Sequence, residues 1–342
     1  MRRLVGSLLA ALLVFAALIA AGCGGNDNKS TNSTANTTAG GGSGTTAAKV
    51  DLTQGSGLTV AMVTHSDEGS FWSVVKKGAE QAAKDEGVKL IWSPSNNDPQ
   101  KQAQLIDAAV SQKVDGLAVS VPNADAIKGS LAKAKAAGIP IVTLNSGAED
   151  FKALGAITHV GQTETIAGKA AGEKLKAEGA KKVLCVIHEQ NNIGLQQRCQ
   201  GVKDGFGANV TTQQVKGTAN IATTQTEIKS KLQADKSFDA VITLNPDIAA
   251  AAVTAVKGAS SDAKIATFDI NPDVIKNIKS GTISFAVDQQ QYLQGYLPVV
   301  FLKLYKTNAN TVGGGLPVLT GPGFVDKTNA DTVEKLAGEG TR

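Results

Sequence analysis

From Leu58 onward, apolar runs of strand length alternate with longer stretches whose apolar residues recur at helical spacing. The run Leu58–Thr64 predicts a strand and Ser70–Glu86 a helix. Strands near Val88–Trp92, Gly116–Ser120 and Ile139–Leu144 follow, separated by helices near Pro99–Gln112 and Ala124–Ala137. Gly87 and Gly138 fall where a helix C-terminus needs a left-handed residue, directly before the next strand. The pattern breaks over Asp150–Val160 and restarts with a helix over Glu164–Glu178. Strands near Lys182–Ile187, Val210–Val215, Asp239–Leu244 and Lys264–Phe268 then alternate with helices near Ile193–Gly207, Ile221–Ala234, Asp247–Lys257 and Pro272–Ser280. Two βα units of similar build therefore stand in series, the signature of α/β architecture with parallel sheets covered on both faces. A strand at Thr282–Val287, a helix at about Gln290–Lys306 and the Gly- and Pro-rich Leu316–Val325 remain. They are too few for a third domain and must pack on the first two.

The chain before Leu58 is patterned differently. Arg2 and Arg3 precede an uncharged apolar run from Leu4 to Ala21, so residues 1–22 predict an export signal. The run ends Ile19-Ala20-Ala21-Gly22-Cys23, which resembles a bacterial lipoprotein signal cleaved ahead of Cys23, although Ala20 stands where that motif usually has Leu. The resemblance implies lipidation of Cys23. From Gly24 to about Lys49 the residues are Gly, Ser, Thr, Asn and Ala with almost no large apolar side chain. Such a segment cannot bury enough surface to offset its ordering entropy, so residues 23–56 are expected to be a leash. Some 26 flexible residues reach about 25–30 Å, enough to space a soluble body from a membrane.

Composition narrows the function. The 342 residues carry a net charge of +4 that falls to +2 without Arg2 and Arg3, and no basic tract interleaved with aromatics occurs, so nucleic acid is not an expected partner. No G-x-S-x-G, G-x-x-x-x-G-K-[ST] or H-E-x-x-H motif is present. His65, His159 and His188 follow strand ends without local ligand spacing, and no metal or cofactor is expected. With Cys23 assigned to lipid, Cys185 and Cys199 remain; export permits a disulfide between them, and two unpaired thiols are the alternative.

In open α/β sheets, ligands bind beyond the carboxyl ends of the strands. In the first unit those positions hold His65 to Gly69 followed by Phe71 and Trp72, then Ser120, then Asn145 and Ser146. In the second they hold Glu189 to Asn192 with Arg198 on the following helix, then Asn245, Asp269, Asp288 and Gln289. Amides, carboxylates, one arginine and two adjacent aromatics suit a neutral polyhydroxylated ligand, whose hydroxyls both donate and accept and whose C–H faces are apolar. Core packing is the alternative for Phe71 and Trp72, and helix N-capping for Asn245 and Asp269.

Several segments carry a family likeness over about residues 57–330. They are Gly69-Ser-Phe-Trp72 with Lys76-Lys-Gly-Ala79, Asn96-Asn-Asp-Pro-Gln-Lys-Gln102, Val114-Asp-Gly-Leu-Ala-Val-Ser120, Gly138-Ile-Pro-Ile-Val-Thr-Leu-Asn145, Arg198 with Gly201, Phe268-Asp269, and Asp288-Gln-Gln-Gln-Tyr-Leu-Gln-Gly295. In order and spacing they resemble the monosaccharide-binding proteins, of ribose and galactose type, that serve bacterial ABC importers. The resemblance implies a type I periplasmic binding protein fold of two doubly wound parallel-sheet lobes joined by a three-segment hinge. The crossings would fall near His159–Gly161, Val287–Gln289 and Leu319–Gly323. Residues 57–159 with 290–318 would form the N-terminal lobe, and 160–288 with 319–342 the C-terminal lobe. It implies ligand contacts from Phe71, Trp72, Arg198, Asn245, Asp269 and Gln289. Ser120 and Asn145 stand where the ribose pattern has Asn and the Asp of an Asp-Arg pair, and Ser146 replaces that Arg, which weakens the charged clamp and argues against ribose itself.

The expected protein is a monomeric, extracytoplasmic receptor, lipid-anchored to the bacterial cell membrane, that passes a small sugar or polyol to a membrane permease driven by an ATPase. A receptor for a furanose signal of autoinducer type is the alternative. An exported sugar-processing enzyme would need two facing carboxylates, for which Asp269 and Asp288 are the candidates. A regulator of lac-repressor type would need a DNA-binding headpiece where this chain has a signal and a leash.

Overall fold

The computed structural model describes residues 56–342. The export signal, Cys23 and all but the last residue of the expected leash lie outside the described residues. The first unit runs β1 (Thr59–Thr64), α1 (Gly69–Asp85), β2 (Lys89–Pro94), α2 (Pro99–Ser111), β3 (Gly116–Ser120), α3 (Ala124–Ala136), β4 (Ile141–Asn145) and β5 (Thr158–Gly161). The second runs α4 (Glu164–Ala177), β6 (Val183–Ile187), α5 (Ile193–Phe206), β7 (Val210–Gln214), α6 (Ile221–Ala234), β8 (Ala240–Thr243), α7 (Pro246–Gly258), β9 (Lys264–Phe268), α8 (Pro272–Ser280) and β10 (Ile283–Asp288). After them come α9 (Gln291–Asn308), β11 (Val318–Leu319), β12 (Gly323–Asp326) and α10 (Ala330–Glu339).

Two six-stranded sheets result, ordered β11-β5-β4-β3-β1-β2 and β12-β10-β9-β8-β6-β7. Strand by strand they correspond, β1 to β6 through β5 to β10. Alternation along each strand fills two opposed cores. In β1, Val60 and Met62 face α1 and α9, while Ala61 and Val63 face α2 and α3. In β6, Val183, Cys185 and Ile187 face α4 and α5, while Leu184 and Val186 face α6 and α7. The central strands are therefore apolar on both sides, as a parallel sheet under two helical layers requires, whereas the edge strand β7 is polar and only partly buried.

Three stretches lead from one sheet to the other: Gln162–Thr163 after β5, Gln289–Gln290 after β10, and Thr320–Pro322 between β11 and β12. The first sheet is parallel throughout, but β12 runs antiparallel to β10, pairing Phe285 with Asp326 and Asp288 with Gly323. This departs from the all-parallel expectation. A two-stranded return from β11 through a short connection brings the chain into the second sheet from its open edge, where nothing forces a parallel crossover.

Each lobe is completed by a helix that arrives after a crossing, and glycines let it approach closely. A Cβ on Gly295 of α9 would collide with the Val75 carbonyl of α1, and one on Gly78 with the Tyr292 carbonyl of α9. In the second lobe, a Cβ on Gly168 would meet the Arg198 carbonyl and one on Gly201 the Thr165 carbonyl. Cys185 of β6 and Cys199 of α5 are joined by a disulfide, with Cα atoms 5.9 Å apart.

Candidate ligand-binding cleft

The carboxyl ends of both sheets face one another, and the side chains that follow those ends enclose a cavity. Phe71, Trp72 and Asn145 reach it from the first lobe, and Arg198, Asn245, Asp269 and Gln289 from the second lobe and its connection. Ser120 is not among the lining residues. It sits one layer below, where its hydroxyl accepts from the His65 backbone N–H and meets His65 Nδ1, both at 2.8 Å. The ring turns its other nitrogen, Nε2, across the cleft, 3.5 Å from Glu189 Oε2.

Phe71 and Trp72 are 5% and 4% exposed and belong to the first core while also lining the cavity. The two readings of this pair are therefore not exclusive. Trp72 stands edge-on to Phe71 at 5.1 Å and to the His65 ring at 4.9 Å between centroids. Asn245 likewise has two roles: its side chain caps α7, accepting from Asp247 N at 2.8 Å and Ile248 N at 3.3 Å, and it borders the cavity. Asp269 is not a cap. Asn271 caps α8, accepting from Val274 N at 2.8 Å.

Asp269 is 2% exposed. Its Oδ1 accepts from Gln289 Nε2 at 2.8 Å, and its Oδ2 makes no hydrogen bond to the described residues. Burial pushes its carboxyl up to about 7, against the opposing charge of Arg198 and the Gln289 bond. Arg198 is held by Glu164, its Nε 2.5 Å from Oε2 and its Nη2 2.9 Å from Oε1, and its guanidinium lies 4.9 Å over the Phe268 ring. A bidentate carboxylate fixes the fork in place and leaves Nη1, 3.4 Å from the Leu244 carbonyl, toward the cavity rim. Gln289 Oε1 accepts from Gln294 Nε2 at 2.9 Å and Arg198 Nη2 at 3.4 Å, and Asn145 Nδ2 donates to Gln294 Oε1 at 3.3 Å. A chain of amides thus runs from Asp269 through the crossing to Asn145.

Other residues complete the enclosure. Glu189, Asn192 and His65 were visible only as positions after β6 and β1. Glu68 and Thr218 join across the cleft, Thr218 Oγ1 donating to Glu68 Oε2 at 3.1 Å. Nothing in the sequence marks Thr218 beyond the turn at Gly217. The lobes meet again where Ser70 N and Oγ donate to Asp247 Oδ2 and Oδ1 at 3.0 and 2.9 Å. These contacts hold the cleft closed.

The cavity leaves about 30 Å³ for the centres of water-sized atoms. Expanded by the ~1.4 Å radius of water, a sphere of that size holds roughly 150 Å³, the bulk of one six-membered sugar or cyclitol ring. Its wall offers acceptors, amides and a guanidinium edge together with the faces of two aromatics, which is the chemistry of hydroxyl and C–H recognition.

Residues 60–309 match the family described as the periplasmic binding protein domain. A carbohydrate transporter from Acidothermus cellulolyticus 11B, solved in complex with myo-inositol, is 46% identical with a TM-score of 0.81, covering 83% of this chain and 99% of its own. The ribose import binding protein RbsB of Bacillus subtilis is 27% identical over 257 residues, 70% of this chain and 78% of that protein. A xylitol-binding protein of Mycolicibacterium smegmatis is 36% identical over 107 residues, 31% of this chain and 29% of that protein. With the two-sheet architecture and the interlobe cavity, these matches place the chain: it belongs to the periplasmic binding protein family.

Proposed function

We propose that the protein is an extracytoplasmic receptor for one small neutral sugar or polyol, bound between its lobes and delivered to the permease of an ABC importer. The observation that carries the reading is an interlobe cavity of single-ring size, spanned by hydrogen bonds between the lobes, with Asp269 Oδ2 on its wall making no hydrogen bond to the described residues. The family match and the inositol-bound relative at 46% identity support it. Ligand would favour the closed state because only there do both lobes contact it, a differential affinity that drives closure. The ligand set is Phe71, Trp72, Asn145, Arg198, Asn245, Asp269 and Gln289, with lobes divided at the three crossings.

No bond is made or broken in this reading. Of the two carboxylates the sequence offered for glycoside hydrolysis, Asp288 accepts from the Gln290 backbone N–H at 2.8 Å and from Arg342 Nε at 2.7 Å, away from the cavity, while the other acidic wall residues, Glu68 and Glu189, are engaged by Thr218 and by His65 and Asn192. Anchoring belongs to the same proposal. A lipidated Cys23 followed by its leash would hold a monomer near the membrane, and Cys23→Ala is expected to release the protein into the soluble fraction; retention at the membrane would defeat that part.

A thermal-shift screen followed by calorimetry tests the main reading. Pentoses, hexoses, deoxysugars and polyols, with myo-inositol first, are expected to include one that raises Tm as RT ln(1 + [L]/Kd) requires. Trp72 fluorescence should respond to the same compound. A flat response to every sugar and polyol, or turnover of the bound compound, would overturn it.

A further inference from the structure

A second, larger space lies beside the ligand cavity. It leaves about 230 Å³ for the centres of water-sized atoms, against about 30 Å³ in the first. Ser95 and Asn97 line it from the turn after β2, Pro99 from the first residue of α2, Pro122 from the turn after β3, and Val215 and Lys216 from just past the end of β7. Both β2 and β7 are the outermost strands of their sheets, at the opposite edge from β11 and β12, where the chain crosses. The larger space therefore lies on the side of the cleft away from the hinge, and it forms a vestibule.

His65, His188, Glu189 and Asn192 line both spaces. Three of them join in one partition. His65 Nε2, from the first lobe, lies 3.5 Å from Glu189 Oε2, from the second. Asn192 Nδ2 donates to the same Oε2 at 2.7 Å and lies 3.4 Å from His65 Nε2. Each end is fastened to the scaffold. Ser120 grips His65 at both its backbone N–H and its ring, and Asn192 Oδ1 accepts from Gly194 N at 3.0 Å and from Ser146 Oγ at 3.3 Å.

We propose that the His65–Glu189–Asn192 partition is the size filter of the binding site: in the closed cleft it admits one ring and excludes a substituent that would extend into the vestibule. The inference rests on the receptor reading above and adds to it the residues that set ligand length. The first cavity has the bulk of a single ring, the adjoining space has room for a second, and His65, Glu189 and Asn192 line both. Because the partition joins the two lobes, a ligand that held His65 and Glu189 apart would also prevent the lobes from closing. Exclusion would follow from lost closure as well as from overlap.

The test compares matched probes on the full protein by calorimetry: myo-inositol with its O-galactoside galactinol, and D-xylose with xylobiose. The readout is the ratio of Kd for the extended probe to Kd for the single ring of the same pair. Wild type is expected to show a ratio of at least about 100. Glu189→Ala should lower it at least tenfold by joining the two spaces, whereas Glu189→Gln, which keeps the bulk of the side chain, should stay near the wild-type ratio. His65→Ala opens the partition from the other lobe and should also lower the ratio, which covers a Glu189 variant that fails to fold. The proposal is overturned by a wild type that binds both members of a pair alike, by alanine variants that keep the wild-type ratio, or by both alanine variants folding yet binding neither probe. A wild type that binds no single-ring sugar or polyol at all removes the receptor reading itself.

Discussion

Asn145 and Asp269 occupy corresponding places in the two lobes, the end of β4 and the residue after β9, and both hold a left-handed backbone, with φ of 60° and 67°. A side chain other than glycine pays about 1–2 kcal/mol for that conformation, least for Asn and Asp. The same strained geometry on both walls of one cavity turns an amide and a carboxylate toward a shared centre, and strain of this kind concentrates at ligand sites.

Asp269→Ala removes the acceptor and places a disfavoured residue at positive φ. Affinity for the compound identified by the screen should fall by about 2 kcal/mol, some 30-fold, if Oδ2 accepts a buried hydroxyl. Calorimetry measures it, and an unchanged Kd would assign Asp269 a structural role only.

Stability of the empty protein should depend on pH through the same carboxyl. With its pKa raised to about 7 from an ordinary 3.8, the native state holds a proton there that the unfolded chain has released. Its stabilising contribution is complete below about pH 4 and is lost as pH rises through about 7. Asp269→Asn should flatten this fall, read as urea-unfolding free energies between pH 4 and 8. Glu189 acts in the opposite sense and lower range. Burial raises its pKa, but the charge and hydrogen bond of His65 prevail and hold it down to about 2, so its contribution is lost as pH drops below about 4.5.

The close helix pair of the first lobe predicts a contrast between two glycines. Gly295→Ala sets a methyl against the Val75 carbonyl and should cost about 2 kcal/mol, lowering Tm by about 5 °C. Gly129→Ala, inside α3 with open space around its Cα, should instead stabilise by about 0.5–1 kcal/mol. Thermal denaturation of the two variants distinguishes packing from propensity.

The bridge between Cys185 and Cys199 closes a loop across a sequence separation of 14. Removing that constraint from the unfolded chain, by the Cys185→Ser/Cys199→Ser double change, should lower stability by about 3 kcal/mol. Equal unfolding midpoints in oxidised and reduced wild type would show that the bridge contributes nothing.

Much of this was legible in the chain. The alternation of strand and helix, the left-handed Gly87 and Gly138 and the polar residues after β3, β4, β8 and β9 are local signals, written in periodicity and turn chemistry. What was not legible depends on the other lobe or the other sheet. The direction of β12 is decided by where the third crossing delivers the chain. The strand β5 is short and carries the buried His159, whose Nδ1 meets Thr143 Oγ1 of the neighbouring strand at 2.9 Å. Helix α10 buries Ala330, Val333 and Ala337, a helical spacing visible in principle but hidden behind a Gly- and Pro-rich run. Ser120 was read as a ligand contact because it ends β3, yet only the fold shows the His65 backbone arriving to claim its hydroxyl.

The helix that completes the first lobe, α9, begins at Gln291, after every strand of the second lobe except β12. On a ribosome or emerging through a membrane, the first lobe therefore stays unfinished until some 240 further residues have followed its first strand. A chain stopped near Asp288 would leave the face of α1 that carries Gly78 without its partner, and would lack Val299 and Leu302 from the core around Trp72. Cutting between the sheets thus produces no independent half. Assembly from two fragments would require the α9 segment to be supplied in trans, and the protein commits to its structure late in its own synthesis.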